Sequence, residues 1–259
     1  MTAGLPTQTF IEKLVRQAGT LALQHQRGEF GVAAKSNPGD LVTTADKAVS
    51  EFLVNTIHRE YPSHAVHSEE MAQDINPGAE VEWVLDPIDG TRSFAGKQAH
   101  WCVMAAVLCT GELVSSAIYH PAADVLFMAE KGKGATRNAQ PVRARRVESL
   151  SYALGVWALD GVGVYQERAI GGLSRFLSEN NGWVQNDLSM MPFCYVASGG
   201  TDFGVINCGF DHDYLAVTLI GREAGATVCD FDGNKWRRGR QDYVLVSPGL
   251  EEAVLRLLL

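Results

Sequence analysis

The pattern of apolar and polar positions predicts two helices in the first quarter of the chain. Over residues 7–27, apolar side chains recur every three or four positions, which is the spacing of an amphipathic helix. A second apolar helical face follows a threonine, Thr43 or Thr44, of the type that caps helices. This helix is predicted to end near Tyr61, because Pro62 disfavours the helical conformation in the residue before it.

Apolar runs typical of strands replace the helical pattern after this point. The run Trp83–Leu85 predicts a short buried strand. Three further strands are predicted after it: Cys102–Leu108, Leu113–Tyr119 and Val125–Ala129. Thr110-Gly111-Glu112 joins the first two of these three as a hairpin turn. The sheet in this part of the chain is therefore expected to be antiparallel.

The second half of the chain alternates strand-like and helix-like segments. A helix is predicted near 165–179, a strand at Phe203–Ile206 and another helix starting at Asp213. Alternation of this kind is typical of an α/β unit. We therefore expect an N-terminal α+β subdomain at 1–145 and a C-terminal α/β subdomain at 146–259.

Composition and charge limit the class of protein. The chain has 259 residues and 46% of them are hydrophobic, which is enough for a sizeable core. Its 30 acidic and 22 basic residues give a net charge of −8, which argues against a general nucleic-acid binder. No apolar stretch reaches the roughly 20 residues that span a bilayer, and no signal peptide is recognisable. The five cysteines form no C-x-x-C pair, so the sequence predicts a cytoplasmic protein with reduced thiols.

The segment Asp86–Thr91 carries the most informative chemistry. It places Asp86 and Asp89 three residues apart at the end of a predicted strand, in a turn that contains a proline and a glycine. Both carboxylates can therefore converge while the carbonyl of Ile88 points the same way. Oxygen donors of this kind suit a hard cation such as Mg2+. An isolated match is more often an exposed loop with solvated acids, so its meaning depends on the rest of the chain.

Other acidic segments accompany this turn in a fixed order. Asp40–Asp46 and Ser68-Glu69-Glu70 precede it, and Asp213 opens a later helix. Together with Asp86–Thr91 they resemble the inositol monophosphatase family of Mg2+-dependent, Li+-sensitive phosphatases. The resemblance covers most of the chain. It implies a layered α/β sandwich, in an αβαβα arrangement with an antiparallel N-terminal sheet and a C-terminal α/β half.

The resemblance also implies a role for each residue of the predicted site. Two or three Mg2+ ions would be held by the side chains of Glu70, Asp86, Asp89 and Asp213 and by the carbonyl of Ile88. Thr91 with Glu70 would orient the attacking water, Asp46 would lie behind the ligands, and the loop bearing Lys35 and Asp40 would close over them. The catalytic residues are then Glu70, Thr91, Asp46 and Asp89. The residues expected at the phosphate or the rest of the substrate are Gly90, Thr91, Asp89, Ile206, Asn207 and Asp213.

The residues around the substrate depart from the family pattern. Ile206 stands where the family has a glutamate that binds substrate hydroxyls or an amine, and larger residues at Asp187–Ser189 replace a Gly-Thr-Ala-like segment. In the helix of the last ligand, Asp213 is preferred to Asp211 because it keeps the family's ten-residue distance to Glu223. The residues after Asp213 are similar to a histidinol-phosphatase-like branch. We therefore expect intact metal ligands and a reshaped substrate pocket.

The combined expectation is a cytoplasmic, homodimeric phosphatase. The predicted reaction is Mg2+-dependent hydrolysis of a small phosphate monoester, such as inositol monophosphate or a related polyol or sugar phosphate, by metal-activated water. Histidinol phosphate, fructose 1,6-bisphosphate and 3′-phosphoadenosine phosphate stay open as alternative substrates. A non-catalytic binding protein on the same fold is the alternative from another class. The expected partners are a small phosphate ester and a second copy of the chain, with neither nucleic acid nor membrane.

Overall fold

Two long helices lie in the first quarter of the chain, as predicted. The described residues of the computed structural model are 4–159, 165–186 and 189–259. Helix α1 spans Gln8–Arg27 and begins after Thr7, whose hydroxyl accepts a hydrogen bond from a backbone amide of the first turn. Helix α2 spans Thr44–Glu60 and begins after Thr43, which caps it in the same manner. The predicted end near Tyr61 is confirmed, because that residue leaves the helical conformation.

A two-stranded hairpin lies between these helices. Strand β1 (Val32–Ala34) pairs antiparallel with β2 (Leu41–Thr43). The amide of Lys35 donates to the carbonyl of Asp40 at 2.7 Å and closes the loop between the two strands. The loop thereby holds Lys35 at the edge of the acidic residues described below.

A seven-stranded sheet follows. Its strands are β3 (Ala65–Ser68), β4 (Val81–Asp89), β5 (Cys102–Cys109), β6 (Glu112–His120), β7 (Val125–Glu130), β8 (Gly134–Arg137) and β9 (Gln140–Val142), in that spatial order. The predicted hairpin between β5 and β6 is confirmed, since Thr110 and Gly111 have φ angles of 49° and 79°, as a tight turn requires. All neighbours are antiparallel except β3 and β4, which are parallel. The sheet is therefore mixed at one edge, where residues 69–80 return the chain so that β4 runs parallel to β3.

The end of β4 is irregular where the two predicted carboxylates lie. The pairing register between β4 and β5 shifts between Asp86 and Asp89. Gly90 follows with a φ of 90°, a left-handed conformation that glycine adopts at little cost, and helix α3 (Thr91–Ala95) begins directly after it. The bulge and turn together re-aim the side chains at this strand end.

A five-stranded mixed sheet forms the second half of the fold. Its strands are β10 (Leu154–Ala158), β11 (Trp183–Gln185), β12 (Phe203–Ile206), β13 (Thr227–Cys229) and β14 (Tyr243–Val246), in the spatial order β11-β10-β12-β14-β13. The helices of this half are α4 (Gln166–Glu179), α5 (Met191–Cys194), α6 (Asp211–Glu223) and α7 (Glu251–Leu257). Strand β10 is parallel to both β11 and β12, whereas β14 is antiparallel to its neighbours. The expected alternation of strands and helices is confirmed.

Helix α6 begins two residues earlier than predicted, at Asp211 rather than Asp213. The carboxylate of Asp213 accepts a hydrogen bond from the amide of Phe210 at 2.6 Å, so Asp213 lies inside the first turn and satisfies an amide that precedes the helix. The predicted ligand is therefore held at a helix N-terminus, where a negative charge is favoured.

The apolar core has layers on both faces of the seven-stranded sheet. Alternate residues of β4 and β5, such as Trp83 and Val103, pack with α1 and α2, whereas Val84 and Met104 pack with α6 on the other face. Because the second of these clusters includes residues of both halves, one core crosses the predicted boundary at 145/146. The division of the chain into two subdomains at this boundary therefore stays a prediction. No helix within the described ranges has both the length and the apolar character needed to cross a membrane.

Candidate metal centre

Three aspartates meet where β4 ends and α6 begins. Asp86, Asp89 and Asp213 each offer a carboxylate oxygen, and these atoms lie within 4.8 Å of one another. Asp86 and Asp89 are 2% and 8% exposed, so two of the three acids are buried. Residues from distant parts of the chain thus form one oxygen-lined group; the turn motif had pointed to Asp86 and Asp89, and the family resemblance to Asp213.

Backbone amides donate hydrogen bonds to two of the three aspartates, Asp86 and Asp213. The amide of Ile88 donates to Asp86 Oδ1 at 3.1 Å, across the tight turn of the bulge. Phe210 holds Asp213 in the same way from the start of α6. Both carboxylates are therefore fixed by main-chain donors and do not depend on a flexible side chain for their orientation.

Asp89 has a different set of donors. Its Oδ2 accepts a hydrogen bond from the amide of Met190 at 2.5 Å and from the buried thiol of Cys102 at 3.0 Å. Met190 precedes α5 in the second half of the chain, so this carboxylate joins the two halves of the fold at the site. No pattern in the sequence points to Cys102, because a cysteine in an apolar strand is ordinarily a core residue.

The protonation behaviour of the aspartates fits a cation site. Burial raises the pKa of Asp86 well above its ordinary value, and the charges of neighbouring acids raise it further. Burial also raises the pKa of Asp89 to about 8, although its hydrogen bonds from Cys102 and Met190 lower it. Clustered carboxylates with such pKa values are poorly compensated by the protein alone. A divalent cation with a preference for oxygen ligands would supply the missing positive charge.

Asp46, Thr91 and the Ile88 carbonyl form a second polar group beside the aspartates. The hydroxyl oxygen of Thr91 lies 3.2 Å from Asp46 Oδ1 and 3.1 Å from the Ile88 carbonyl oxygen. The other oxygen of Asp46 accepts a hydrogen bond from the amide of Thr43 at 2.8 Å. Burial raises the pKa of Asp46, whereas hydrogen bonds from Thr43 lower it. The structure thus brings together Asp46, which was expected behind the metal ligands, Thr91, which was expected to orient the water, and the Ile88 carbonyl, which was expected among the ligands.

The group of aspartate oxygens within 4.8 Å of one another contains neither Glu70, the predicted ligand, nor its neighbour Glu69. The ammonium group of Lys35 contacts both adjacent glutamates, with its Nζ 2.7 Å from Glu69 Oε1 and 2.5 Å from Glu70 Oε1. The charge of Glu69 is among those that raise the pKa values of Asp86 and Asp89. The charge of Glu69 is therefore coupled to those of the aspartates, whereas the residue predicted as a ligand was its neighbour Glu70.

The residues expected at the substrate lie in different environments. Ile206 and Asn207 are buried at the end of β12, and Gly90 forms the turn before α3. Asp187 and Leu188 lie outside the described residues, whereas Ser189 is buried. Asp211 is bound by the guanidinium of Arg238 and by the amide of Gly239, which leaves Asp213 as the acid of this helix that joins the group.

A cavity of about 590 Å3 opens beside this site. Glu69 forms part of its wall, together with the rings of His67, Tyr165, Phe210 and His212. The Nε2 atom of His212 lies 3.9 Å from Asp213 Oδ2. The cavity therefore adjoins Asp213 through His212, although none of the three aspartates lines it, and it is large enough for a small molecule.

Comparison with known proteins gives one family over nearly the whole chain. The family described as "Inositol monophosphatase family" matches residues 6–258. The Nus factor SuhB of Salmonella typhimurium is 28% identical over 253 residues, which cover 96% of this chain and 94% of that protein. An inositol monophosphatase of Dictyostelium discoideum is 28% identical over 258 residues, which cover 95% and 92%. The solved structure of a Thermotoga maritima IMPase has a TM-score of 0.88 and 25% identity, and covers 96% of this chain and 95% of that one. This chain belongs to the inositol monophosphatase family.

Proposed function

We propose that this protein is a metal-dependent phosphatase that hydrolyses a small phosphate monoester. The observation that carries the proposal is the group of Asp86, Asp89 and Asp213, whose oxygens lie within 4.8 Å of one another at a partly buried position. Uncatalysed hydrolysis of phosphate monoesters is extremely slow, and the chain offers a strongly acidic site suited to the cations that assist it.

The residues that would hold Mg2+ are Asp86, Asp89, Asp213, the carbonyl of Ile88 and a glutamate of the Glu69–Glu70 pair. Two or three bound ions would activate a water and neutralise the charge on the phosphate and on the leaving oxygen. Thr91 would orient that water through its hydroxyl, which donates a hydrogen bond to Asp46. The amides at Gly90 and Thr91 are the proposed contacts of a phosphate oxygen.

The central experiment measures phosphate release from a broad panel of phosphate monoesters, with Mg2+ and with EDTA. We expect release that EDTA abolishes, and we expect Asp89→Asn to lower kcat by at least about 100-fold while the fold is kept, because it removes one ligand charge. Asp124→Asn is the matched control, since Asp124 is an exposed acid on the turn after β6. If the wild-type protein hydrolyses no member of the panel, the phosphatase proposal is wrong.

Glu69 is our proposed ligand of the adjacent pair, in place of Glu70. The support is electrostatic, because Glu69 acts on Asp86 and Asp89 and forms part of the cavity wall. Glu69→Gln should raise the Mg2+ concentration that gives half-maximal activity at least tenfold, and Glu70→Gln should raise it less. The reverse order would restore Glu70 as the ligand.

The substrate spectrum is expected to differ from that of a polyol phosphatase. Ile206 offers no carboxylate to substrate hydroxyls, so inositol monophosphate should be a modest substrate among the candidates. Histidinol phosphate, fructose 1,6-bisphosphate and 3′-phosphoadenosine phosphate belong in the same panel, assayed with and without Li+. We infer inhibition by Li+ from the family resemblance alone.

A second candidate function is binding to a larger partner. The observation that favours it is the name of one set of relatives, Nus factor SuhB, and this name weakens the prediction from net charge that excluded nucleic acid. Complementation of a deletion of the gene separates the two functions. Full rescue by Asp89→Asn would favour binding, whereas failure of a stably folded Asp89→Asn would favour catalysis.

We further infer that the protein is a cytoplasmic homodimer. The support is the family resemblance, together with cysteines that form no disulfide bond in the described part of the chain. Light scattering coupled to size-exclusion chromatography measures the mass in solution. A mass equal to that of one chain would contradict the inferred dimer.

A further inference from the structure

The cavity beside the aspartates has a wall of aromatic and imidazole rings. Phe210 is 63% exposed, and its ring stacks on that of His212 with a centroid distance of 5.5 Å and an interplanar angle of 24°. The ring of His67 is also close to that of His212, with a centroid distance of 6.3 Å and an interplanar angle of 24°. Three neighbouring rings therefore form part of the cavity wall.

The cavity also contains a cationic and aromatic pair. The guanidinium carbon of Arg240 lies 5.6 Å from the ring centroid of Tyr165. Both residues contribute to the wall of the cavity. Faces of aromatic rings and of a guanidinium group attract planar groups, which they contact over a large area at a low cost in conformational entropy.

The position of the rings relative to the aspartates fixes which part of a substrate they would meet. His212 directly precedes Asp213, and its ring nitrogen lies 3.9 Å from the Asp213 carboxylate. A phosphate at the aspartates would therefore place the alcohol part of the ester against the rings. The residue expected to bind polyol hydroxyls, Ile206, is apolar and buried, so it offers no competing recognition of a polyol.

We propose that this cavity is a leaving-group subsite that selects phosphate esters whose alcohol part carries a planar aromatic ring. The proposal rests on the phosphatase function proposed above and names its substrate class. Phe210 is its main specificity residue, because among the rings of His67, Phe210 and His212 that of Phe210 is the most exposed. An exposed aromatic surface beside a site is typical of ligand contact.

Two esters of matched size test the subsite: 2-phenylethyl phosphate and 2-cyclohexylethyl phosphate. Their leaving oxygens and linkers are the same, so the ratio of their kcat/KM values isolates the effect of a planar ring. We expect a ratio of about five to ten in favour of the phenyl ester for the wild-type protein. A ratio near one would overturn the proposal while the phosphatase function stands.

Phe210→Leu keeps an apolar side chain but removes the ring, and it should reduce the ratio to about one or two. Tyr152→Leu is the matched control, because Tyr152 is an aromatic residue that is 74% exposed and is not part of the cavity wall. The control should retain the wild-type ratio. An unchanged ratio in Phe210→Leu would overturn the role of this ring.

A binding measurement distinguishes failure of the subsite from failure of the phosphatase. The non-hydrolysable analogues 3-phenylpropylphosphonate and 3-cyclohexylpropylphosphonate are titrated into the wild-type protein with Mg2+ and followed by calorimetry. At least fivefold tighter binding of the phenyl compound supports the subsite even if no ester is hydrolysed. Equal binding of the two compounds overturns it.

Discussion

Cys102 shows how a single buried side chain can affect the candidate metal centre. Its thiol is buried and donates to Asp89 Oδ2, on the side of the carboxylate that also accepts from Met190. This hydrogen bond lowers the pKa of Asp89 against the effect of burial. The thiol therefore favours the ionised form of the aspartate, which is the form that binds a cation.

We predict that Cys102→Ala weakens Mg2+ binding about tenfold, because Asp89 loses a donor that orients it and keeps it ionised. The effect is measured by titrating Mg2+ and recording the Tm: the concentration that gives half of the maximal increase in Tm reports binding independently of activity. Cys229→Ala is the control, because Cys229 is also a buried thiol but lies in β13 within a different apolar cluster. Equal Mg2+ binding in the two variants would contradict the prediction.

The raised pKa of Asp89 also predicts how the metal-free protein responds to pH. An aspartate in an unfolded chain has a pKa of about 3.9, against about 8 in the fold. Between these values the folded protein binds more protons than the unfolded chain, so the free energy of unfolding falls as the pH rises. We expect the Tm of the EDTA-treated protein to fall from pH 6 to pH 8.

Two further measurements check the cause of this pH dependence. Asp89→Asn should show a smaller fall in Tm over the same range, because the amide does not ionise. Saturating Mg2+ should remove or reverse the fall, because the cation binds the ionised carboxylates. A Tm of the EDTA-treated wild-type protein that rises over this range would contradict the prediction.

At the scale of elements, sequence patterns located the elements that bury a regular face. Strands β5, β6 and β7 are six to nine residues long, and their apolar runs were recognisable. Strands β8, β9, β11 and β13 have only three or four residues and include exposed positions, so they lack the continuous apolar run that made the equally short β12 recognisable. The start of α6 was placed late because Asp213 has the composition of a cap, whereas the structure uses its side chain from within the first turn.

The same limit explains which part of the site was found from the sequence. The aspartates stand at separate, recognisable positions, so spacing and resemblance were sufficient to identify them. Glu69 and Glu70 are neighbours, and only the direction in which the chain leaves β3 decides which one faces the aspartates. The ring-lined cavity joins residues of β3 and α6, Tyr165 before α4 and the loop before β14, and no local pattern connects them.

Helix α2 links stability to the site through its N-cap. Thr43 caps the helix, and its backbone amide and hydroxyl both donate to Asp46. We predict that Thr43→Ala lowers the free energy of unfolding by about 1 kcal/mol and also lowers activity, because Asp46 then orients Thr91 less firmly. Urea unfolding and kcat measure the two effects.

Thr7→Ala is the matched control for this prediction. Thr7 caps α1 with the same type of hydrogen bond, at 3.2 Å from the Phe10 amide, and touches no residue of the site. It should cost a similar free energy of unfolding and leave kcat unchanged. Equal losses of activity in both variants would show that the effect of Thr43 is only one of stability.

At the scale of the whole molecule, Arg238 connects the two sheets near the site. Its two terminal nitrogens each lie 2.7 Å from a carboxylate oxygen of Glu82 on β4, and its Nε donates to Asp211 at the start of α6. The guanidinium therefore fixes the N-terminus of the helix that carries Asp213 to the strand that carries Asp86 and Asp89. This geometry requires the planar fork of an arginine.

We predict that Arg238→Lys lowers the free energy of unfolding by about 1 kcal/mol and weakens Mg2+ binding, although the charge is retained. The effect on stability is modest because the side chain of Arg238 is 41% exposed. Arg256→Lys is the control, since Arg256 pairs with Glu252 on the exposed surface of α7. Urea unfolding with and without Mg2+ measures both effects. Equal free energies of unfolding for the two variants in both conditions would contradict the prediction.

The contact between Lys35 and the adjacent glutamates has a consequence for how the site fills. Hydrogen bonds to Glu69 and Glu70 raise the pKa of Lys35, so the chain supplies its own counterion at the rim of the acidic group. An incoming cation that uses Glu69 competes with this ammonium group for the same oxygen. Binding of the metal ion would then displace the ammonium group of Lys35 from Glu69. The β1–β2 loop that carries Lys35 would lose this contact when the site fills and regain it when the ion leaves.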